Sequence, residues 1–129
     1  MRILRIYVAG AMTPTGKGNH AIEYLENVRL GVKASIRLIH WGFAPYCPMI
    51  DFQFFLGLGE GEQISAKMIY ATSVAHMLGC DAILRLPNIR NSAGWRVERG
   101  LANHEKIPIF TTIEALRAAR DSGEIKCRK

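Results

Sequence analysis

Glu98 is the side chain of this sequence best placed to do chemistry. It closes the run Ser92-Ala93-Gly94-Trp95-Arg96-Val97-Glu98 and sits about two turns into a helix. Asn91 and Ser92 are helix-start residues, because their side-chain oxygens accept from the orphan N–H groups of a first turn. The helix macrodipole favours negative charge near that end. The same field is expected to keep the carboxylate ionised, as a nucleophile must be. A purely solvated helix carries Glu there just as readily, and Arg96 and Arg99 beside it fit such a helix. Tyr7 is the second candidate. It lies in the apolar run at the start of the chain, and a buried phenol needs a partner for its hydroxyl, which a carboxylate would supply.

A third group of candidates lies between residues 10 and 19. Gly10, Thr13, Thr15, Gly16 and Lys17 offer backbone N–H groups, hydroxyls and one ammonium, a set suited to a phosphate. The spacing matches neither a Walker A loop nor GxGxxG, and a flexible connector has the same composition. His20, His40, His76 and His104 lack metal-ligand spacing and read as structural or exposed. Cys47, Cys80 and Cys127 are odd in number and form no CxxC, which argues against a zinc site or a disulfide framework and for a reducing compartment, the cytoplasm. Trp41 and Trp95 read as packing residues, Trp95 being the one nearer Glu98.

These residues must be held by elements. Arg2–Ala9 reads as a first strand. His20–Trp41 reads as a long amphipathic helix with the stripe Ile22, Leu25, Val28, Val32, Ile36 and Ile39. Phe43–Cys47 is a second strand, and residues 51–63 are a Gly-rich loop with several Phe. Ile64–Gly79 is a helix with Ile64, Met68, Ala71, Ala75 and Leu78 on its apolar side. Asp81–Leu86 is a third strand closed by Pro87, and Asp81 at its start is structural. Ile107–Phe110 is a fourth strand, and Thr111 or Thr112 caps a final helix, Ile113–Arg120. This alternation predicts one α/β domain over residues 1–129, a doubly wound, Rossmann- or flavodoxin-like parallel sheet with helices on both faces. Strand order 2-1-3-4 puts the switch point between strands one and three. Gly10 and Asn88 then flank the place where open α/β sheets bind ligands.

The net charge of +6 attracts anions, whether nucleic acid or a phosphorylated metabolite. Basic residues are spread along the chain, and their one tight cluster, Lys126, Arg128 and Lys129, reads as a frayed, solvated end. Aromatic and basic residues do not interleave on a strand, which disfavours nucleic acid as the partner. No apolar run is long enough to span a membrane, and the first ten residues lack a signal-peptide layout.

Tyr7-Val8-Ala9-Gly10, Asp81-Ala82-Ile83 and Ser92-x-Gly94-x-x-x-Glu98 together resemble the nucleoside 2-deoxyribosyltransferase-like family. That family contains transferases, deoxynucleoside monophosphate N-glycosidases and small bacterial and phage members of unknown function. The likeness runs from strand one to strand four. It implies that Glu98 attacks the anomeric carbon to form a glycosyl-enzyme intermediate, that Tyr7 orients it, and that no metal or organic cofactor is needed. Ser92 matches a position where enzymes of nucleosides carry Asp and monophosphate hydrolases carry Ser, so a nucleotide is implied over a nucleoside, with Ser92 and Gly94 on the phosphate side. The resemblance also implies a homo-oligomer. One position departs: Ser73 stands where the family has an Asp that helps protonate the leaving base. A binding module of the same fold without catalysis is therefore the alternative, and a nucleic-acid-binding protein a further one.

Overall fold

The computed structural model describes residues 2–11, 18–89 and 92–128. The element order is β1 (Arg5–Ala9), α1 (His20–His40), β2 (Ala44–Tyr46), a 3₁₀ segment (Pro48–Gly57), α2 (Ala66–Leu78), β3 (Ala82–Arg85), α3 (Ala93–His104), β4 (Ile109–Phe110) and α4 (Ile113–Asp121). The four strands form one parallel sheet in the order β2-β1-β3-β4. Tyr7 pairs with Tyr46 on one side and Ile83 on the other. The chain is thus an α/β protein with a doubly wound parallel sheet. Among the described residues, no helix is long and apolar enough to cross a membrane.

Side chains alternate across a strand, and β1 divides its residues accordingly. Ile6 and Val8 join Leu38 of α1 and Ile113, Leu116 and Ala119 of α4 in one core. Tyr7 and Ala9 join Met77 of α2 and Trp95 and Ala102 of α3 in the other. The period of two therefore sends the Tyr7 ring toward the helix that carries Glu98.

The structure corrects several sequence expectations. The α1 face packed on the sheet is Asn27, Gly31, Ser35 and Leu38, with Val28 and Ala34 partly buried beside it. Ile22, Leu25, Val32, Ile36 and Ile39 face outward, Leu25 being 62% and Ile39 58% exposed. The cause is close approach. A Cβ at residue 31 would lie 2.1 Å from Met49 Cε and 3.0 Å from Cys47 Sγ, so no side chain fits at that point under the helix. The polar ones are satisfied: the Ser35 hydroxyl donates to the Gly31 carbonyl at 2.8 Å, and Asn27 Oδ1 accepts from Asn88 Nδ2 at 3.3 Å.

On α2 the buried residues are Ile69, Ser73 and Met77, while Met68 and Leu78 of the expected apolar side are exposed. That helix starts at Ala66, capped by Ser65, whose hydroxyl oxygen accepts from the Met68 N–H at 3.1 Å. The expected loop from residue 51 begins inside the 3₁₀ segment, where buried Met49 and Asp51 tie the chain to the core. Strand β1 begins at Arg5 rather than Arg2, and Ile3 is exposed.

The basic tail is not frayed at Arg128. Its N–H donates to Asp81 Oδ1 at 2.6 Å, and its guanidinium donates to the carbonyls of Leu78, Cys80 and Glu105 at 2.9–3.2 Å. Asp81 also accepts two bonds from the Arg2 guanidinium and one from the Arg5 N–H. Burial works to raise the Asp81 carboxyl pKa, but the bonds from Arg2, Arg128 and Arg5 outweigh it and hold it below its usual value. Asp81 is thus the structural clasp expected of it, at the sheet end opposite the site.

Candidate active site

A small cleft, partly open to solvent, lies beyond the carboxyl end of β1 and is lined by Tyr7, Ala9, Gly10, Pro48, Tyr70, Ser73 and Glu98. It stands beside the switch point between β1 and β3.

Each lining residue is placed by its element. Ser92 starts α3 by accepting from the Trp95 N–H at 3.1 Å, which leaves its own O–H proton to donate elsewhere. Trp95, buried and with the Arg85 guanidinium 5.6 Å from its ring centroid, fixes the helix against β3. Glu98, one turn further, is then turned into the cleft. Tyr70 and Ser73 are three residues apart on α2 and so share a face. The Tyr70 hydroxyl donates to the Gly94 carbonyl at 3.2 Å, joining α2 to α3 over the cleft. A Cβ at Gly10 would come 2.9 Å from Leu86 Cδ1 and 3.2 Å from Met49 Cε, whereas one at Gly94 would meet open space.

Electrostatics follow from burial. Removal from water pushes the Glu98 carboxyl up from 4.5 to about 7, and the nearby Tyr7 hydroxyl works in the opposite direction. Burial therefore wins over the helix field that was expected to keep the carboxylate ionised, and Glu98 is about half ionised at neutral pH. Tyr7 is 1% exposed. Burial, and then the Glu98 charge, raise its phenol far above 10. Tyr70 is raised by the same two causes. Both stay protonated donors at any working pH, which suits them to hold an acidic partner.

The structure brings together Tyr7, Gly10 and Glu98 from the expected set. Asn88 does not line the cleft. Its Oδ1 accepts from the Ala11 N–H at 3.4 Å and its Nδ2 donates to Asn27, so it brackets the end of β1 against α1. Ser92 and Gly94 stand at the exposed start of α3, outside the lining. Thr13, Thr15, Gly16, Lys17 and Asn91 lie outside the described residues. No basic side chain lines the cleft among the described residues, and no three His, Cys, Asp or Glu among them converge as a metal site requires. Of the two tryptophans, Trp95 packs in the core, while the exposed Trp41 is covered by the Arg117 guanidinium 3.2 Å from its ring centroid.

Sequence reasoning missed Tyr70, Pro48, Tyr46 and Asp51. Ser73, left between solvent and cleft by the sequence, is 2% exposed and lines the cleft. Its hydroxyl donates to Asp51 Oδ2 at 2.9 Å, and the Tyr46 hydroxyl donates to the same oxygen at 2.5 Å. The one available signal for Asp51 was a lone acid inside an otherwise apolar run, Pro48-Met49-Ile50-Asp51-Phe52.

Neither the family models, nor the curated proteins, nor the solved structures compared with this chain match it. The functional reading therefore rests on the geometry of the cleft.

Proposed function

We propose that this protein cleaves or transfers the N-glycosidic bond of a deoxynucleoside monophosphate-like substrate, with Glu98 as the nucleophile. The observation that carries the reading is a partly desolvated carboxylate beside the protonated Tyr7 hydroxyl, in a cleft at the switch point of the sheet. Such a carboxylate can attack an anomeric carbon while Tyr7 holds it in line, the covalent route that retaining glycosidases use. The resemblance to the nucleoside 2-deoxyribosyltransferase-like family supports the same roles. Ser92, with a hydroxyl proton free to donate at the start of α3, supports a phosphate at that end. The reaction as read calls for no metal or cofactor.

The test is incubation with a panel of 2′-deoxynucleosides and their 5′-monophosphates, reading free base by chromatography. Glu98→Gln keeps the shape and removes the attacking oxygen, so base release should fall by orders of magnitude. Base release undiminished in that variant would refute the mechanism.

A non-catalytic binding module is the second reading, favoured by Ser73 in place of a carboxylate on α2. It predicts saturable binding of a monophosphate with no free base from the parent protein. Binding to nucleic acid has the net charge alone in its support, and a carboxylate-lined cleft does not suit a polyanion. The outward stripe of α1 supports assembly into a homo-oligomer, because contiguous exposed apolar surface marks contact sites. A single-chain mass by light scattering would remove that part of the proposal.

A further inference from the structure

Helix α1 carries a pattern, on its side away from the sheet, that the cleft does not use. Ile22, Leu25, Val32, Ile36 and Ile39 are exposed there, and Arg29, also exposed, falls in line between them. From Ile22 through Arg29 to Ile39 the steps are three, four, three, four and three residues. That is a strict 3.5-residue repeat, the seam by which two helices wind on each other, and narrower than the stripe by which a helix lies on a sheet. The sheet-facing side of α1 is supplied separately, by Asn27, Gly31, Ser35 and Leu38.

The residues along the seam select its occupant. The repeat reads alike in both directions about a two-fold axis between Leu30 and Gly31. Run antiparallel against a second copy, it sets Ile22 against Ile39, Leu25 against Ile36 and Arg29 against Val32. The outer layers are then wholly apolar. A charged residue at one such position costs stability but fixes register. The flanking charges also match. Glu26 and Lys33 are exposed, and neither forms an ion pair among the described residues. Each lies four positions after a seam residue, Ile22 and Arg29, where side chains reach across to the other helix. The two-fold axis sets Glu26 of each copy opposite Lys33 of the other. Run parallel, the same helices set Arg29 against Arg29 and leave Lys33 beside Val28, a repulsion with no ion pair to offset it.

We propose that α1 is a dimerisation element, pairing antiparallel with α1 of a second copy along Ile22–Ile39, with the two Glu26–Lys33 contacts setting its direction. The inference rests on the assembly part of the reading above and is independent of the glycosidic chemistry. Leu38 packs α1 on the sheet face of Ile6 and Val8, opposite the face that holds Met77 of α2 and Trp95 of α3. The contact therefore does not run through the helices that carry Ser73 and Glu98.

The test is sedimentation velocity on the full chain at low salt, with the parent expected as a dimer. Leu25→Glu puts a charge opposite Ile36 and should give monomers. Leu30→Glu, on the same helix and 45% exposed but off the seam, should leave the mass unchanged. Glu26→Lys and Lys33→Glu should each raise the dissociation constant by roughly 5–30-fold, because two contacts turn from attraction to repulsion. An equimolar mixture of those two variants restores opposite charges at both contacts and should associate as tightly as the parent. Misfolding of either variant would not produce that rescue. A dimeric parent whose mass is indifferent to Leu25→Glu, or charge variants that the mixture does not rescue, would overturn the seam and leave the homo-oligomer to another surface. A parent that stays a single chain at every concentration would overturn the seam and the assembly together, and its pelleting with phosphatidylglycerol vesicles would give the stripe to a lipid surface instead.

Discussion

Glu98→Gln should make the protein more stable at alkaline pH and no more stable in acid. The sign follows from the direction of the shift. The folded-state value of about 7 lies above the ordinary 4.5, so between those values the folded chain binds more protons than the unfolded one. Stability must then fall as pH rises through that window. The gap between 4.5 and about 7, at about 1.4 kcal/mol per pH unit, is about 3 kcal/mol. Gln never ionises and keeps an oxygen that can accept from Tyr7. At pH 4 both side chains are neutral, and their difference is a constant set by packing. At pH 8 only the parent pays for a buried charge. Urea denaturation of both proteins at intervals from pH 4 to pH 8.5 gives the difference directly, because every other titrating group cancels. The expected curve climbs from its acid value by up to about 3 kcal/mol, with its midpoint in the 4.5–7 interval. A difference that is flat with pH would show that Glu98 is solvated. A difference falling with pH would show that a cation holds the carboxylate, and the desolvated nucleophile would be lost in either case. The same ionisation should appear in catalysis as a rise of kcat/KM through about pH 7, since the free enzyme must carry the charge.

Ser92→Asp should leave the melting temperature nearly unchanged, because Asp is as good an N-cap as Ser. It should reverse or abolish the preference for a monophosphate over its nucleoside in calorimetry, and an unaltered preference would place the phosphate elsewhere. Arg128→Ala removes donors to three carbonyls at the ends of α2 and α3, one bond part-buried and two exposed, and should cost about 1 kcal/mol; an unchanged urea midpoint would mean that the tail is dispensable. Gly31→Ala gains about 1 kcal/mol of helix propensity but drives a methyl into Met49 and Cys47, an overpacking cost of roughly 1–3 kcal/mol. The expected outcome is a net loss, and a rise in melting temperature would show that α1 shifts freely on the sheet.

Element order was legible because it is written in local signals. Apolar runs of four to six residues separated by helix-length segments force a parallel sheet, and Pro87, Ser92 and Thr112 mark where segments stop and start. Ser92 and Thr112 do cap α3 and α4. Which face each helix buries was not legible for α1 and α2. Hydrophobic periodicity assumes that the larger apolar side faces the sheet. In α1 that assumption fails, since Met49 and Cys47 rise toward the helix and leave no room for a side chain at Gly31, on the side that Asn27, Ser35 and Leu38 also bury. The fate of the basic tail was likewise invisible, because Arg128 is ordered by carbonyls and by Asp81, groups far away in sequence.

The candidate site divides along the same line. Tyr7 and Glu98 were legible because each lies at a fixed phase of its own element: one strand alternation aims Tyr7 at the α2–α3 side, and two helical turns from Ser92 bring Glu98 to the cleft. Asp51 was not, because nothing local defines it. It is the meeting of β2, the 3₁₀ segment and α2 that sets Tyr46, Asp51 and Ser73 within hydrogen-bond reach of one another. A lone serine where a carboxylate was expected looked like a loss of function. In three dimensions that serine is buried and donates to Asp51, a carboxylate on a different element. That meeting of Tyr46, Asp51 and Ser73 from three elements is a property of the fold rather than of any motif.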